Sequence, residues 1–386
     1  MSEISGDWRV LGGVLSAWFD APSASAGAVL VERLGPLPDV DLRPDGVRLR
    51  LRSGQAEVAA AISRTARELG LTADPTVLQE VHLAFEATDP AAVTTFWRTA
   101  FGYEETPTGL QDPLDRDPAV EVRPLADPRP LRNRIHVDVV RPSDAVDAVR
   151  TAIGQEPYGA WGVALADPEG NEVDLVPGDQ LSPEAADWWT NFGAMAFYPT
   201  TSPKQATSLV SAVAKLADEA SIPLQVDLRP AGVLIDGSKD QWEDDLPNGG
   251  AAFVELAKRI QDVAHDLGLA ADAQPLRFVQ FGIDAVDADA LSRFWRTVLG
   301  YQPDPRAQVS DTYDPRRLNP VLFFQQLDAN DERTKQRNRI HLQLVVPEDQ
   351  VQARVEAALA AGGRVLDQTP QRCLLSDPEG NELDIR

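Results

Sequence analysis

Cysteine is all but missing from this 386-residue chain, with Cys373 standing alone. A single thiol excludes an intrachain disulfide and any zinc cluster built on cysteines, and it fits a reducing compartment. Histidine is nearly as scarce, at positions 82, 136, 265 and 341 only, so imidazole chemistry must draw on these four. Basic residues are outnumbered 36 to 60, leaving a net charge of −24. That charge repels phosphate backbones and anionic lipid surfaces at long range, which argues against nucleic-acid and membrane partners and serves solubility. No apolar run approaches the length of a membrane span, and the stretch from Met1 to Trp8 has neither a basic n-region nor an apolar h-region. A cytoplasmic protein is expected. What remains, 43% hydrophobic and 25% charged residues, is the composition of an ordinary globular protein with several cores.

The chain is written twice. Asn133-Arg134-Ile135-His136 and Asp167-Pro168-Glu169-Gly170-Asn171-Glu172 return as Asn338-Arg339-Ile340-His341 and Asp377-Pro378-Glu379-Gly380-Asn381-Glu382. Phe96-Trp97-Arg98-Thr99 through Gly102-Tyr103 returns as Phe294-Trp295-Arg296-Thr297 through Gly300-Tyr301. Asp41-Leu42-Arg43-Pro44 returns as Asp227-Leu228-Arg229-Pro230. The order is the same in both halves, so loop lengths alone separate the copies, and four units follow one another in the order A-B-A-B. They span residues 1–75, 78–177, 187–271 and 276–386.

In the first A unit, helical apolar spacing from Ala26 to Leu34 is followed by Val47 to Arg52, which alternates apolar and charged residues as a strand with one wet face does. A helix from Glu57 to Leu69 stops at Gly70. The first B unit opens with a strand from Val81 to Glu86 and a helix from Asp89 to Ala100, with Asp89 as N-cap and Pro90 in the first turn. A second round has a strand from Ile135 to Val140, a helix from Ser143 to Ile153 and a last strand from Val173 to Val176. Pro177 to Pro183 has the turn-forming composition of a boundary. The fold class expected is α+β, duplicated in tandem.

Three of the four histidines fall in B-unit strands. Alternation puts His82 and Glu86 opposite Val81, Leu83 and Phe85; His136 and Asp138 opposite Ile135, Val137 and Val139; and Asp174 opposite Val173 and Leu175. His82, His136 and Asp174 have the composition of a two-histidine, one-carboxylate triad with open positions, suited to Fe, Mn, Ni, Co or Zn. The same alternation also describes the wet face of any half-solvated sheet. In the second B unit the matching set is Gln280, His341 and Asp384, a weaker site because an amide replaces an imidazole. His265 has no companion ligand.

On these motifs the B units resemble vicinal oxygen chelate domains, specifically the glyoxalase-like branch of the superfamily that holds glyoxalases, extradiol dioxygenases and bleomycin-resistance proteins. The resemblance implies paired βαβββ modules, with His82 or Gln280 at the first ligand position, His136 or His341 at the second and Asp174 or Asp384 at the carboxylate position. It offers Glu121 as a fourth ligand, with no carboxylate at the corresponding place between Pro320 and Gln326. The A units resemble pterin-4a-carbinolamine dehydratase, through Trp8, the helix into Leu34 and the Val-Asp-Leu-Arg strand. That family's His-His-Pro is replaced by Pro36-Leu37-Pro38 and Ile222-Pro223-Leu224, which implies a scaffold without the dehydratase's acid-base groups.

The resemblance implies an enzyme acting on a small oxygenated molecule, of isomerase, lyase or dioxygenase type, with a divalent metal in the first B unit. Glu86, Asp138 and Glu121 are the candidate proton-handling or orienting carboxylates, and Trp97, Trp161 and Trp295 the candidate substrate-binding aromatics. Two alternatives share the signature: a metal-free protein that sequesters a small molecule such as an antibiotic, and a metal-free cyclase or rearrangement enzyme of secondary metabolism. The assembly expected is a monomer with internal pseudo-symmetry or a homodimer.

Overall fold

The computed structural model of the chain describes residues 6–34, 38–52, 54–239, 250–306, 308–369 and 371–386. It is an α+β protein with eight α-helices and two β-sheets among the described residues. Contacts divide it into two compact units, and each unit takes one segment from each copy: Met1–Leu78 with Gly178–Leu276, and Gln79–Pro177 with Arg277–Arg386.

In the first unit the two copies meet where the strand Asp39–Arg43 pairs with Gln225–Arg229, setting Asp41 opposite Asp227. Like charges facing each other across a sheet are unfavourable. Here arginines offset them, since Arg43 pairs with Asp227 at 2.7 Å and Arg48 with Asp41 at 2.6 Å, with Arg229 on the other Asp41 oxygen. Burial alone would raise the Asp41 carboxyl, but Arg229, Arg48, Arg50 and Arg43 hold it well below the usual range. The strand Gly46–Leu51 therefore has no wet face: Arg48 and Arg50 are 4% and 6% exposed. Period-two charge looks the same whether the partner is water or a buried carboxylate. The helices Ala24–Arg33, Ala56–Glu68, Pro203–Ala220 and Ala251–Asp266 contribute to the unit's apolar core. Of the replaced dehydratase triplets, Pro36 and Leu37 lie outside the described residues, while Ile222 and Leu224 are buried. His265 is half-exposed and bonded to Asp187 at 2.9 Å.

The second unit consists of four modules of strand, helix and further strands. The first runs from Glu80–Ala87 through Pro90–Phe101 to Val120–Pro124, and the second from Ile135–Pro142 through Ser143–Ile153 to Glu172–Gln180. The third and fourth repeat this, from Phe278–Ala285 to Val321–Gln326 and from Ile340–Val345 to Glu382–Ile385. Asp89 and Asp287 cap their helices and Gly102 and Gly300 end them in left-handed conformation, as the motif positions require. The last strand of the second module continues through Pro177 to Gln180, so the turn-like composition there does not break it.

The modules pair across the copies. The strand Glu80–Ala87 lies antiparallel to Ile340–Val345, with Leu83 opposite Leu342, and Ile135–Pro142 lies antiparallel to Phe278–Ala285, with Val137 opposite Phe281. All four of these side chains are fully buried, each contributing about 1.5–3 kcal/mol by burial. A slip of one residue would turn His82 and Gln343 into the core, so the register is firmly set. Module one thus completes a sheet with module four, and module two with module three.

The repeated motifs lock this exchange. The backbone amide of Arg339 donates to Asn133 Oδ1 at 2.6 Å, and that of Arg134 donates to Asn338 Oδ1 at 3.0 Å. Arg339 Nε also donates to Asn171 Oδ1 at 3.0 Å, and Arg134 Nη1 to the Glu379 carbonyl at 3.0 Å. Within each copy the turn aspartate takes the tryptophan N–H, Trp97 to Asp167 at 2.9 Å and Trp295 to Asp377 at 3.1 Å. Asn171, fully buried, also accepts from Asn133 and donates to Asp167. Replacing it by alanine strands several buried polar groups, so Asn171→Ala should lower unfolding free energy in denaturant by about 3 kcal/mol. A loss below about 1 kcal/mol would show that the latch does not carry this load.

Candidate metal centre

The exchange decides which polar side chains share a face. On the sheet of modules two and three, the core takes Ile135, Val137 and Val139, leaving His136 and Asp138 on the opposite side. Gln280 stands across from Asp138 and Gly282 across from His136. The strand Glu172–Gln180 adds Glu172 and Asp174. One ligand atom each of His136, Asp138 and Asp174 lies within 4.8 Å of the others. Gln280 Nε2 donates to Asp138 Oδ2 at 2.7 Å, and Asp138 Oδ1 is 3.7 Å from His136 Nε2.

The imidazole of His136 is closely seated. A Cβ at position 282 would come within 2.2 Å of its Cε1 and 2.4 Å of its Nε2, so glycine there is what lets the ring lie down on the strand. The Phe323 ring meets it edge-on at 5.5 Å between centroids. Burial pushes the ring's pKa down to about 4, so at neutral pH its nitrogen lone pair is available. Asp174 is shifted the other way, raised by burial and then by the neighbouring Glu172. At the edge of this face Glu172 binds Arg132 and accepts from the Tyr158 hydroxyl at 2.6 Å, while Asp284 binds Arg333 at 2.6 Å.

The face formed by modules one and four has the same ancestry and different chemistry. His82 faces Gln343 and Ala84 faces His341 in the register. Asp384 is paired with Arg372 at 2.7 Å and with Arg123 at 3.4 Å. Glu121 takes the Arg123 fork at 2.8 and 2.7 Å and the Gln343 amide at 2.8 Å. The Arg123 bond, foremost, holds the Glu121 carboxyl down to about 2. His341 is pushed down to about 3, by burial first and then by Arg123, Arg337 and Arg372. His82 Nδ1 accepts the Ala119 amide at 3.1 Å, and its Nε2 lies 3.4 Å from Glu80. At the positions corresponding to Arg123, Arg372 and Arg386, the His136 face has Gln325, Gly162 and Val176.

Several sequence expectations are redistributed by this geometry. His82 is on a different sheet from His136 and Asp174, because its strand's partner comes from the other copy. Gln280 is likewise parted from His341 and Asp384, and stands instead beside His136 and Asp138. Glu86 is engaged by Arg129 at 2.6 Å and by Arg337 at 3.3 Å, and Glu121 by Arg123, which leaves neither as a free base. Trp97 and Trp295 are wholly buried with their N–H groups spent on turn aspartates, so they present no face to a ligand. Trp161 is 88% exposed in a turn. Asp138 is the residue whose role grows, from orienter to ligand candidate. The arginines at 123, 372 and 386 carry one sequence signal, a position-by-position difference between the two copies.

The His136 face fits a divalent cation by the chemistry of its donors: a neutral imidazole, two carboxylates and an amide oxygen. His136 Nδ1 and Gln280 Oε1 are buried without a hydrogen-bond partner among the described residues. Four strand-helix-strand modules paired across the copies are the architecture of a duplicated glyoxalase-like fold of the vicinal oxygen chelate class. The sequence matches the glyoxalase-like domain family over residues 82–176 and 280–386, just over half the chain, and the protein belongs to that family. No curated protein matches it. Among solved structures, the cppA protein from Streptococcus pneumoniae TIGR4 is similar at 9% identity over 80% of this chain and 97% of that chain. The TM-score of that match is 0.34. No helix among the described residues is long and apolar enough to cross a membrane.

The depressed His341 has a consequence for stability. The unfolded imidazole binds a proton near pH 6.5 and the folded one only near 3, so between those values the unfolded state holds more protons and stability rises with pH. Going down from pH 6.5 to 4.5, the wild type should lose up to about 1.4 kcal/mol per pH unit more than His341→Gln. Equal pH slopes for the two proteins in denaturant titrations would contradict the burial argument.

Proposed function

We propose that the protein is a glyoxalase-like enzyme that binds a divalent metal through His136, Asp138 and Asp174, with Gln280 as the adjoining amide, and acts on a small oxygenated metabolite. The observation that carries the reading is the convergence of one ligand atom each of His136, Asp138 and Asp174 within 4.8 Å on one face. A bound ion supplies Lewis acidity toward adjacent substrate oxygens. The chain's own residues do the rest. Gly282 and Phe323 fix the His136 ring. Glu172, on the same face as Asp174, is held by Tyr158 and Arg132 and fixes the edge of the face beside it. Arg132 and Arg333 place positive charge at the edge of the face, where a substrate's oxygens can be oriented. The first unit, with His265 engaged by Asp187, is read as scaffold, and the pterin-dehydratase likeness as one of fold without that chemistry.

A metal-free small-molecule binder is the second reading. The observation that favours it is the 2.7 Å bond from Gln280 to Asp138, which closes part of the polar face on itself. Elemental analysis of purified protein separates the two. The metal reading expects about one divalent ion per chain, lost in His136→Ala and Asp174→Asn and retained in His82→Ala. Gly282→Ala should weaken metal binding at least tenfold with the fold intact, because its methyl group displaces the His136 ring. Sub-stoichiometric metal unaffected by His136→Ala would overturn the proposal and leave the binder.

A further inference from the structure

The two polar faces descend from one plan, yet one has acquired three arginines. On the face of modules one and four, Arg123, Arg372 and Arg386 approach two carboxylates, Glu121 and Asp384. Three guanidinium groups carry far more donors than two carboxylates can use. Arg123 spends its fork on Glu121 and reaches Asp384. Arg372 uses Nε on Asp384, and Arg386 uses Nη2 on Gln343 Oε1 at 3.0 Å and keeps 3.8 Å from Glu121. The side chains of Arg372 and Arg386 remain 36% and 41% exposed. Donors are therefore left over where solvent has access.

That arrangement reverses the preference of the His136 face. A divalent cation entering here meets carboxylates already neutralised and a local field set by arginine. An oxyanion meets planar forks of matching geometry, which bind carboxylate or phosphate oxygens in pairs. His341 and Gln343, 2% and 1% exposed, floor the face with neutral polar groups that an anion does not repel. We infer that the face formed by Arg123, His341, Gln343, Arg372, Asp384 and Arg386 is a binding site for a small oxyanion, a carboxylate or a phosphate ester. The duplicated unit so carries one face selective for a cation and one for an anion. The tandem copies have then diverged in ligand sign through Arg123, Arg372 and Arg386, against Gln325, Gly162 and Val176.

Calorimetric titration of chelator-treated full-length protein tests this, with inorganic phosphate and oxalate as separate probes so that metal in the other face plays no part. Saturable binding of at least one probe at one site per chain is expected, weakened at least tenfold in Arg372→Met/Arg386→Met and unchanged in Asp174→Asn. Which probe binds tells a phosphate site from a carboxylate site. Arg386→Met alone, at a half-exposed side chain, should weaken binding several-fold and guards against misfolding of the double variant. No saturable binding of either probe overturns the inference, as does binding that survives both arginine variants or is lost in Asp174→Asn. Because the protein is metal-free throughout, either result leaves the metal reading of the His136 face to its own test.

Discussion

Antiparallel pairing between strands from opposite copies is the constraint on which the rest depends. Leu83 against Leu342 and Val137 against Phe281 bury apolar side chains on one side of each pair. The period of two then dictates what stands on the other side. Once Asp138 is opposite Gln280 and His136 opposite Gly282, the donor set of one face is determined. Once His82 is opposite Gln343, the other follows. Neither face can be assembled from one copy alone, which gives a physical reason for the two copies to reside in one chain.

The repeated motifs serve that pairing more than they serve chemistry. Asn133 and Asn338 each accept a backbone N–H from the other copy, and Arg339 reaches across to Asn171. Such buried polar contacts cost much when broken, so both copies retain them. Positions that bear no part in the latch have been free to change. Glu121 against Phe323, Arg123 against Gln325 and Ala84 against Gly282 are differences of this kind, and together they separate a face held by arginine pairs from one with imidazole, amide and carboxylate groups within ligand distance.

The fold was largely readable from residues. Asp89-Pro90 and Gly102 bracket a helix by capping and backbone conformation, and alternation around Leu83, Val137 and Val173 marks half-buried strands, all local signals. The site was readable only in part. His136 and Asp174 could be placed on the polar side of their strands, but the identity of the neighbouring strand is a long-range fact that alternation does not contain. His82 and Gln280 are equivalent by sequence, which places each with its own copy, whereas the sheet assigns each to the other. The wet face expected for Val47 to Arg52 failed for a related reason, because the carboxylate of Asp41 lies on a different strand from Arg48 and Arg50.

Strand exchange between the copies can be measured directly. With Cys373 replaced by serine, paired cysteines at Glu80 and Val345, which stand opposite each other in the register, lie at the Cα separation a disulfide needs. Mild oxidation followed by peptide mass spectrometry should recover an 80–345 crosslink in high yield, and none between cysteines at Glu80 and Val140, the corresponding position within the same copy. A crosslink at 80–140 without one at 80–345 would contradict the exchange and return His82 to the side of His136 and Asp174.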